Sequence, residues 1–541
     1  MSPNSAGEEF DYIIVGAGSA GCVLANRLTA DPKTTVLLLE VGPADNSIFI
    51  KMPAGNFKVI PTERSFKYTT EPEPAAHNRR LFVPQGRTLG GGSSVNGMVY
   101  IRGQREDYED WRAQGCTGWG YEDVLPHFCK AEGNATLSGR YHGTEGPLKV
   151  ADLRYHHPLS EAFIRATQEI GETQNRPINY NYDFNGESQE GVGFHQVTQV
   201  NGERASTARC YLRDAERRPN LCVKTNALTD RVLLDGRRAT GIAYRANGSG
   251  ELHVTARRDV ILTAGTLATP TVLMRSGIGP ADHLREHDIA VTLDRPAVGS
   301  NYQDHLSVPV QGQCKEPVSV LGEEKGLKGL KHFLQWYFFR TGLVTSNVVE
   351  AGGFLDLDGD GRCDTQLAFL PILRGELNAP MPSVHGLSLN PCLLRPKSRG
   401  EIRLTSKDPA APPHFKGNYL AHEDDVAHLV RGARFARRIL KAPSLARVLV
   451  GEYLPGETVP DEDAPLGEFV RHYARTVFHP AGTCRMGSDP DAVVDPKLRV
   501  RGIENLRVAD ASIMPTVTSG NTNAPTIMIA ERAADLIARG T

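Results

Sequence analysis

The sequence lacks any long apolar run, since no stretch approaches the roughly 18 consecutive apolar residues that a membrane-spanning helix requires. It begins with polar and acidic residues, where a secretion signal would show an apolar core. An excess of positive charge is also missing: the formal net charge is -2, whereas nucleic-acid binding requires a strongly basic surface. We therefore expect no transmembrane segment, no nucleic-acid partner and a cytoplasmic location, with peripheral contact at the inner membrane left open.

The cysteines lack the spacing of a scaffold. There are nine, none in a Cys-x-x-Cys pair, and an odd number cannot all form disulfides. This usage fits a reduced, cytoplasmic protein better than a disulfide framework. One acidic motif, Asp356-x-Asp358-x-Asp360-Gly361, begins like a calcium loop, but its twelfth position is Leu367 where such a loop has Glu. We interpret it as a tight acidic turn and predict no metal site.

What is present is an ordinary globular composition on a long chain. Hydrophobic residues make up 40% and charged residues 23% of the 541, so neither disorder nor a fibre is indicated. A chain of this length exceeds one ordinary core, which makes two domains the expectation. Because no repeat or low-complexity linker separates them, we expect the two domains to interleave along the chain.

Residues 10–40 show the first clear pattern, which is a strand, a glycine turn, a helix and a second strand. The apolar run Tyr12–Val15 predicts a buried strand, and apolar residues at helical spacing predict a helix from about Ser19 to Leu28. A second apolar run predicts a strand at Val36–Leu39. Together these elements form one βαβ unit.

The turn between the first strand and the helix reads Gly16-x-Gly18-x-x-Gly21. In a dinucleotide site the first glycine permits the tight turn, the second lets the backbone approach a pyrophosphate, and the third lets the helix pack on the strand. Glu40 ends the second strand, where a carboxylate can accept hydrogen bonds from ribose hydroxyls. We predict a dinucleotide site, with a tight turn in an ordinary α/β sheet as the alternative, and the pattern does not separate NAD from FAD.

A second glycine-rich segment runs from Gly86 to Asn96 and contains three consecutive glycines and two serines. Such a segment exposes backbone N–H groups that could line a flat ring or a second phosphate. A mobile surface loop is the alternative, but Leu89, Val95, Met98 and Val99 make the segment too apolar for one.

The rest of the chain divides into two kinds of pattern. Residues 230–263 predict a small antiparallel run that leads into an apolar strand, and helices are predicted at about 266–276, 424–441 and 524–538. Residues 301–474 alternate strands with polar loops and carry no glycine fingerprint. We expect a nucleotide-binding domain of residues 1–154, 205–300 and 475–541, and a substrate-binding domain of residues 155–204 and 301–474.

Several ordered segments resemble the glucose–methanol–choline (GMC) oxidoreductases over essentially the whole chain. The segments that carry the resemblance are Gly86–Glu109, Gly265–Gly279, Asn301–His305, His479–Gly487, Arg507–Pro515 and Asn521–Thr526. Within the family, the stretches that begin at Tyr141, Thr345 and Leu394 look most similar to bacterial alcohol, choline and sorbose dehydrogenases.

The resemblance implies an α/β (α+β two-domain) fold, in which a Rossmann-like FAD-binding domain is interleaved with a substrate-binding domain built on an antiparallel sheet with helices. It also implies FAD as the cofactor. Val95 stands where some relatives carry a flavin-linking histidine, so we expect non-covalent FAD. The implied FAD contacts are Gly16, Gly18, Ser19, Ala20 and Gly21 at the pyrophosphate, Glu40 at the ribose, Leu228 at adenine, and Thr88, Gly92, Asn96, Gly97, Met98, Val99, Phe478, Ala509, Asp510 and Thr522 around the flavin and its ribityl chain.

The resemblance also implies two catalytic residues. His479 is the expected base, since an imidazole with an ordinary pKa of about 6.5 can accept an alcohol proton near neutral pH. The family's second catalytic position is His or Asn, and counting back from Ala534-Asp535 places Asn521 there, with Asn523 as the rival. An asparagine cannot act as a base, so its expected role is to donate a hydrogen bond to the substrate oxygen.

The predicted function is FAD-dependent oxidation of an alcohol to an aldehyde or ketone. The hydride passes to flavin N5, and the electrons pass to a non-NAD acceptor such as a quinone. The alternatives are an O2-using alcohol oxidase of the same family, a flavin-containing lyase or photoenzyme on the same fold, and a non-catalytic flavin-binding protein. The aromatic run His332–Phe339 is left open between a helix packed on the core, a lip at the active-site mouth and a face that touches a membrane or a quinone.

Overall fold

The computed structural model describes residues 8–173, 176–246, 248–375 and 382–540. Two large sheets organise these ranges, and each belongs to a separate hydrophobic core. No helix in the described ranges has both the length and the apolar character needed to cross a membrane. All nine cysteines are free thiols.

The first sheet is parallel and five-stranded. Its three central strands are apolar and buried along their whole length, as expected when both faces of a parallel sheet are covered. Helix Ser19–Leu28 packs against the C-terminal helix Asn523–Ala538 beside this sheet. The strands, in spatial order, are Leu221–Lys224, Val36–Leu39, Tyr12–Val15, Val260–Leu262 and Leu506–Val508.

A smaller four-stranded sheet shares the core of the first sheet through buried residues such as Val232, Ile242 and Val254. It corresponds to the antiparallel run predicted at residues 230–263, extended by one parallel strand from the beginning of the described chain. Its strands, in spatial order, are Glu9–Phe10, Glu251–Ala256, Arg238–Ala246 and Ala227–Asp235.

The second large sheet is antiparallel and eight-stranded. Helices Pro158–Thr173 and Glu423–Lys441 pack against it. These two helices cover one face of the sheet, so the opposite face is available to line a cavity. The strands along the main path are Leu449–Leu454, Val310–Cys314, Gly386–Leu393, Thr365–Leu370, Ala351–Leu355 and Gly191–Phe194, with Leu306–Ser307 and Arg475–Thr476 joined at the side.

Shorter elements complete the described ranges. The remaining helices are Ile48–Lys51, Asn56–Val59, Arg105–Ala113, Tyr121–Ala131, Arg213–Ala215, Thr269–Arg275, Ala281–Glu286, Gly326–Phe339, Pro443–Ala446 and Asp463–Tyr473. The 3₁₀ turns are Pro53–Gly55, Pro74–Ala76, Gly91–Ser94, Leu343–Thr345 and Ala511–Ile513, with a π-helical turn at Ala208–Leu212. Two-stranded pairs are Ser65–Thr69 with Phe82–Gly86, Glu132–Asn134 with Leu148–Val150, Gln199–Val200 with Glu203–Arg204, Ile278–Gly279 with Leu293–Asp294, and Glu401–Arg403 with His414–Lys416.

The predicted elements are present. The βαβ unit has its helix and both strands at the predicted bounds, and helices lie at Thr269–Arg275, Glu423–Lys441 and Asn523–Ala538. The two-domain α/β fold is confirmed. The domain boundaries stay a prediction, and one short strand crosses them: Arg475–Thr476 was assigned to the nucleotide-binding part but pairs with Leu306–Ser307 in the second sheet.

Two motifs left aside by the fold prediction are also located. The Asp356 carboxylate accepts hydrogen bonds from the backbone N–H groups of Gly359 and Gly361 at 2.7 and 3.1 Å, so the segment is an acidic turn. Asp364 lies beside this turn, with oxygen atoms of Asp356, Asp358 and Asp364 within 4.8 Å of one another.

The aromatic run lies on helix Gly326–Phe339. Trp336 is the one buried residue of this helix, so of the aromatic side chains only Trp336 is buried in the protein.

Candidate active site

A cavity of about 1010 Å³ lies at the carboxyl ends of the parallel strands. Val15 and Leu39 line it from that sheet, Ala264 lines it just beyond the end of strand Val260–Leu262, and Gln366 and Asn390 line it from the antiparallel sheet. Ligands of open parallel sheets bind at the carboxyl ends of the strands, where successive loops diverge. We name the part beside the glycine turn 16–21 the nucleotide end, and the part beside His479 and Asn521 the catalytic end.

The glycine turn has the geometry that its sequence predicts. Gly16 has a φ of +102°, a backbone conformation that side chains strongly disfavour. A Cβ atom at Gly21 would lie 1.9 Å from the carbonyl oxygen of Gly16, so only glycine lets the helix pack this closely on the turn. Gly18 lines the cavity, and a Cβ there would meet no protein atom closer than 4.0 Å. The turn therefore leaves open space beside exposed backbone.

Glu40 lies at the nucleotide end and is almost fully buried. Its two carboxylate oxygens accept hydrogen bonds from the backbone N–H groups of Ala17 and Gly42, at 2.9 and 2.8 Å. Burial raises the pKa of Glu40 to about 7, although both of these hydrogen bonds act in the opposite direction. The side chain therefore ties the glycine turn to the loop after the second strand, and each oxygen keeps capacity for a further donor.

Most of the residues predicted to contact FAD lie on the cavity wall. Those on the wall are Gly16, Gly18, Ser19, Ala20, Glu40, Gly92, Asn96, Gly97, Met98, Val99, Leu228, Phe478, Asp510 and Thr522. Gly21, Thr88 and Ala509 do not line the cavity. Thr88 is fully buried, and its hydroxyl donates to the carbonyl of Pro43 at 2.8 Å, while the N–H of Ala509 donates to Leu262 at 3.0 Å. The predicted contact of these three residues with the cofactor stays a prediction.

The wall between the two ends holds two residues in an unusual backbone conformation. Met98 and Phe478 have φ values of +60° and +70°, in the left-handed region that residues other than glycine rarely adopt. Strain of this kind persists only where the surroundings hold it, and it concentrates at functional sites. Val95 also lines the cavity and packs with Ile50 and Val59. An alkyl side chain at this position offers no nucleophile for a bond to a cofactor.

His479 is the centre of the catalytic end. Its Nδ1 lies 3.0 Å from Nδ1 of His305, and its Nε2 lies 3.1 Å from the amide nitrogen of Asn521. All three side chains come from different parts of the chain, and His479 and Asn521 both line the cavity. The rival residue, Asn523, has a different partner: its amide nitrogen donates to the hydroxyl of Ser19 at 2.8 Å, in the glycine turn.

The hydrogen bonds around His479 fix its tautomer. Nε2 of His305 lies 3.0 Å from the carbonyl oxygen of Leu394, which can only accept, so this nitrogen carries the hydrogen. Burial lowers the pKa of His305 to about 4, so its ring is neutral and its Nδ1 is an acceptor. Nδ1 of His479 must then be the donor between the two rings, which leaves Nε2 of His479 as an unprotonated acceptor facing Asn521.

The orientation of Asn521 follows from one more contact. Gln366 donates its side-chain amide to the oxygen of Asn521 at 3.2 Å, so the nitrogen of Asn521 points toward His479. Burial holds the pKa of His479 well below its ordinary value. His479 is therefore a neutral imidazole whose lone pair lies in the cavity beside an amide donor.

Asp304 holds the backbone of His479 in place. One carboxylate oxygen accepts the His479 N–H at 2.7 Å, and the other accepts the hydroxyls of Tyr419 and Tyr302 at 3.0 and 3.2 Å and that of Thr476. Burial raises the pKa of Asp304 to about 6, against the lowering effect of these hydrogen bonds. Three side chains thus fix the carboxylate that fixes the position of His479.

Sequence reasoning missed the roles of Asp304, His305 and Gln366. The first two lie in the segment Asn301–His305 that carries part of the family resemblance, so their position was marked but not their function. His305 and His479 are 174 residues apart, and Gln366 and Asn521 are 155 residues apart. Gln366 lies in an ordinary strand, where nothing in the local sequence distinguishes it.

The cavity thus joins a glycine turn of the dinucleotide-binding pattern to a neutral imidazole. Two family models described as GMC oxidoreductase match residues 10–307 and 396–530. The chain belongs to the GMC oxidoreductase family, and it is an oxidoreductase that acts on CH–OH donors. The resemblance expected from the sequence is confirmed, and the family implies FAD as the cofactor.

Named relatives and solved structures agree with this placement. The chain is 44% identical to alcohol dehydrogenase [acceptor] of Pseudomonas putida, over 98% of this chain and 96% of that one. It is also 44% identical to oxygen-dependent choline dehydrogenase 1 of Chromohalobacter salexigens, over 98% and 95%. Among solved structures, it matches pyridoxine 4-oxidase from Mesorbium loti with a TM-score of 0.89 at 29% identity, over 98% of this chain and 99% of that one. Formate oxidase of Aspergillus oryzae RIB40 matches with a TM-score of 0.91 at 27% identity, over 99% of both chains.

Proposed function

We propose that the protein is an FAD-dependent alcohol dehydrogenase in which His479 removes the hydroxyl proton and Asn521 holds the substrate oxygen. The carrying observation is the chain of hydrogen bonds from Leu394 through His305 to His479, because it leaves Nε2 of His479 unprotonated in the cavity. When bound, FAD supplies the acceptor for the hydride that leaves the substrate carbon.

The cavity suits FAD on its shape and on its polar atoms. Gly92 and Gly97 line it, and a Cβ atom at either position would meet no protein atom within 4 Å, which leaves room for a flat ring against the backbone. Asn347 also lines the cavity and donates to the carbonyl of Gly97 at 2.8 Å. Its amide oxygen is buried and has no hydrogen-bond partner within the protein. A buried acceptor of this kind requires a donor, and a cofactor or substrate in the cavity could supply it.

The proton step follows from the positions of three side chains. A substrate hydroxyl placed between His479 and Asn521 would donate to Nε2 of His479 and accept from the amide of Asn521. As the proton moves, the imidazole becomes positive, and the neutral His305 ring continues to accept its Nδ1 hydrogen. Hydrogen bonds prepared in advance for charge that develops during the reaction are usually the largest contribution to catalysis.

Electron transfer from the reduced protein to a non-NAD acceptor such as a quinone completes the proposal. It is supported by the 44% identity to an alcohol dehydrogenase that is named for an unspecified acceptor. Oxygen is the competing acceptor, since the similar choline dehydrogenase is named as oxygen-dependent. Val95 at the cavity wall supports non-covalent FAD. A cytoplasmic location stays a prediction.

The test is anaerobic mixing of the purified holoenzyme with aliphatic, aromatic and sugar alcohols and with choline, while flavin absorbance is followed. We expect bleaching by at least one class of alcohol. Reduced enzyme is then mixed with a soluble quinone or with oxygenated buffer, and we expect the quinone to reoxidise it faster. An enzyme that no alcohol bleaches would overturn the proposed function, and faster reoxidation by oxygen would identify an oxidase.

A further inference from the structure

The cavity wall carries a charged side chain that the proposed proton step does not use. Arg374 follows strand Thr365–Leu370 and lines the cavity from the side of the antiparallel sheet. Its guanidinium lies 5.2 Å from the centre of the Phe57 ring, which lines the cavity as well. Among the described residues, none accepts a hydrogen bond from this guanidinium or pairs with its charge. The cavity therefore contains a cation for which the described part of the protein supplies no anion.

The backbone of Arg374 is held in place on both sides of its Cα atom. Its N–H donates to the hydroxyl of Ser388 at 3.1 Å. Its carbonyl oxygen accepts hydrogen bonds from the side chains of Gln311 and Arg475, at 2.9 and 3.0 Å. Ser388 and Gln311 are both buried in the antiparallel sheet. The guanidinium thus extends from a fixed point, which lowers the cost of ordering it around a ligand.

The charge of Arg374 is costly to the protein while it has no partner. Burial lowers the pKa of Arg374 to about 10, and no nearby carboxylate raises it again. The guanidinium therefore remains positive at neutral pH. Charges withdrawn from water are normally paired, because an unpaired one destabilises the folded protein. A bound anion would supply the missing partner.

The chemistry of one guanidinium favours a carboxylate as that anion. A guanidinium and a carboxylate form two parallel hydrogen bonds and carry equal and opposite charges. A phosphate monoester carries nearly two negative charges at neutral pH, so a single guanidinium would leave part of its charge unbalanced.

The strand register places Arg374 well away from the catalytic end. Gln366, which contacts Asn521, pairs with Cys392 on the neighbouring strand, whereas Arg374 contacts Ser388 of that strand. Ser388 stands four positions before Cys392, which corresponds to about 13 Å along a strand. A molecule that reaches both points must therefore keep its hydroxyl and its anionic group apart.

The cavity wall between these two points is mainly apolar. Ala368 and Leu370 stand two and four positions after Gln366 on the same strand, so all three side chains share one face and line the cavity. Asn390 is polar, but its side-chain oxygen already accepts a hydrogen bond from Arg475 at 2.6 Å. An apolar chain suits this wall better than a sugar, whose buried hydroxyls would lack partners.

We propose that Arg374 determines specificity by binding a carboxylate, so that the substrate is an alcohol whose hydroxyl and carboxylate are joined by an apolar chain. An ω-hydroxyalkanoate of medium length is such a molecule. The carboxylate contact itself requires no catalytic step, whereas the oxidation of this molecule rests on the proposed function. A quaternary ammonium alcohol such as choline would be repelled by the same guanidinium.

The first test measures binding without turnover, by isothermal titration of the holoenzyme with octanoate, which has the carboxylate and the chain but no hydroxyl. Octanamide is the matched neutral ligand. We expect the wild type to bind octanoate at least about tenfold more tightly than octanamide, the effect of a charged hydrogen bond. Arg374→Gln should lose this preference, and Arg374→Lys should keep part of it because the charge remains.

The matched control is Lys67→Gln, which removes the same charge from another part of the cavity wall. Lys67 lies on strand Ser65–Thr69 and is exposed to solvent. This variant should keep the wild-type preference for octanoate. Arg374→Gln should not lower the melting temperature of the ligand-free holoenzyme, because no ion pair with a described residue is lost, whereas an arginine with a structural role would lower it.

The second test uses ω-hydroxyoctanoate and octanol as substrates for anaerobic reduction of the flavin. For ω-hydroxyoctanoate, Arg374→Gln should need a roughly tenfold to hundredfold higher concentration for half-saturation, with the limiting rate close to that of the wild type. The limiting rate is spared because Arg374 lies far from the reacting atoms. With octanol the two enzymes should behave alike.

Two results would overturn the proposed carboxylate site. The wild type could bind octanamide as tightly as octanoate, or Arg374→Gln could retain the preference for octanoate. Binding of octanoate that depends on Arg374, without reduction of the flavin by any alcohol, would end the proposed function and leave the carboxylate site standing.

Discussion

The two ends of the cavity are built in different ways. The nucleotide end is formed largely by backbone: the glycine turn leaves open space beside Gly18, and Glu40 holds the turn through two hydrogen bonds from backbone N–H groups. The catalytic end is formed by side chains from separate segments, joined in a row from Gln366 through Asn521 and His479 to His305. Substitutions at the nucleotide end should therefore weaken cofactor binding, whereas substitutions at the catalytic end should slow the reduction of the flavin by alcohol.

The largest expected effect is that of His479→Ala at the catalytic end. Loss of a general base typically lowers a rate by about 10² to 10⁴-fold. Anaerobic stopped-flow reduction by a saturating alcohol should slow by that amount, while FAD content stays close to that of the wild type. Reoxidation of enzyme reduced beforehand should change less, because it removes no alcohol proton. Reduction at the wild-type rate would end the proposed role of His479.

His305→Leu should give the next largest effect, although His305 acts only through His479. It removes the acceptor for the Nδ1 hydrogen of His479, so a hydrogen bond to a ring that becomes charged is lost. Such a bond contributes about 1.5 to 3 kcal/mol, which corresponds to roughly a tenfold to hundredfold slower reduction. His305→Gln should restore part of the rate, because its amide can accept from His479 and donate to Leu394.

The pH profile separates this positioning role from a merely structural one. In the wild type the pKa of His479 lies well below its ordinary value because the ring is buried. His479 therefore stays neutral as the pH falls below about 6.5, and the reduction rate should hold there. His305→Leu removes the acceptor that stabilises the protonated His479 ring, so the pKa of His479 falls and the acid limb of the profile should move to still lower pH. An unmoved limb together with an unchanged rate would contradict the role of His305.

Asn521→Ala and Asn523→Ala compare the two ends directly. Loss of the Asn521 amide should slow reduction about tenfold, the effect of one hydrogen bond to a group that gains charge. Asn521→His should keep much of the rate, since the family accepts histidine at this position. Asn523→Ala should change reduction less and weaken FAD retention instead, because Asn523 bonds to Ser19 in the glycine turn. The measurements are stopped-flow reduction and FAD content after dialysis, and a larger rate defect at Asn523 would transfer the catalytic role to it.

Glu40→Ala should give the smallest effect on the chemical rate and act on cofactor binding. It removes the carboxylate that holds the glycine turn through two backbone hydrogen bonds, and with it the acceptor proposed for the ribose hydroxyls. Loss of charged hydrogen bonds should weaken FAD binding by about 1.5 to 3 kcal/mol. Fluorescence of released FAD after dialysis measures it, and reduction per bound flavin should remain near that of the wild type. Full occupancy after extensive dialysis would show that Glu40 does not hold the cofactor.

The local elements could be predicted because their causes are local. The strands Tyr12–Val15 and Val36–Leu39 are apolar runs that only a covered sheet can bury, and the glycines between them are required by one tight turn. Thr88 and Ala509 are not among the residues that line the cavity, so their contact with the cofactor stays a prediction. A resemblance marks a position in the chain, but which side of the wall that position occupies depends on its neighbours in space.

The sequence by itself determined the glycine turn, the βαβ unit, three further helices, the family, and His479 and Asn521 as the pair to examine. Only the tertiary structure decided that Asn521 and not Asn523 faces His479, that His305 sets the tautomer of His479, and that helix Gly326–Phe339 buries Trp336 and leaves its other aromatic side chains at the surface. The physical reason is how far apart along the chain the interacting residues lie. Turns and periodic burial arise from interactions between near neighbours, whereas a tautomer or an exposed face is set by contacts between segments that lie more than a hundred residues apart.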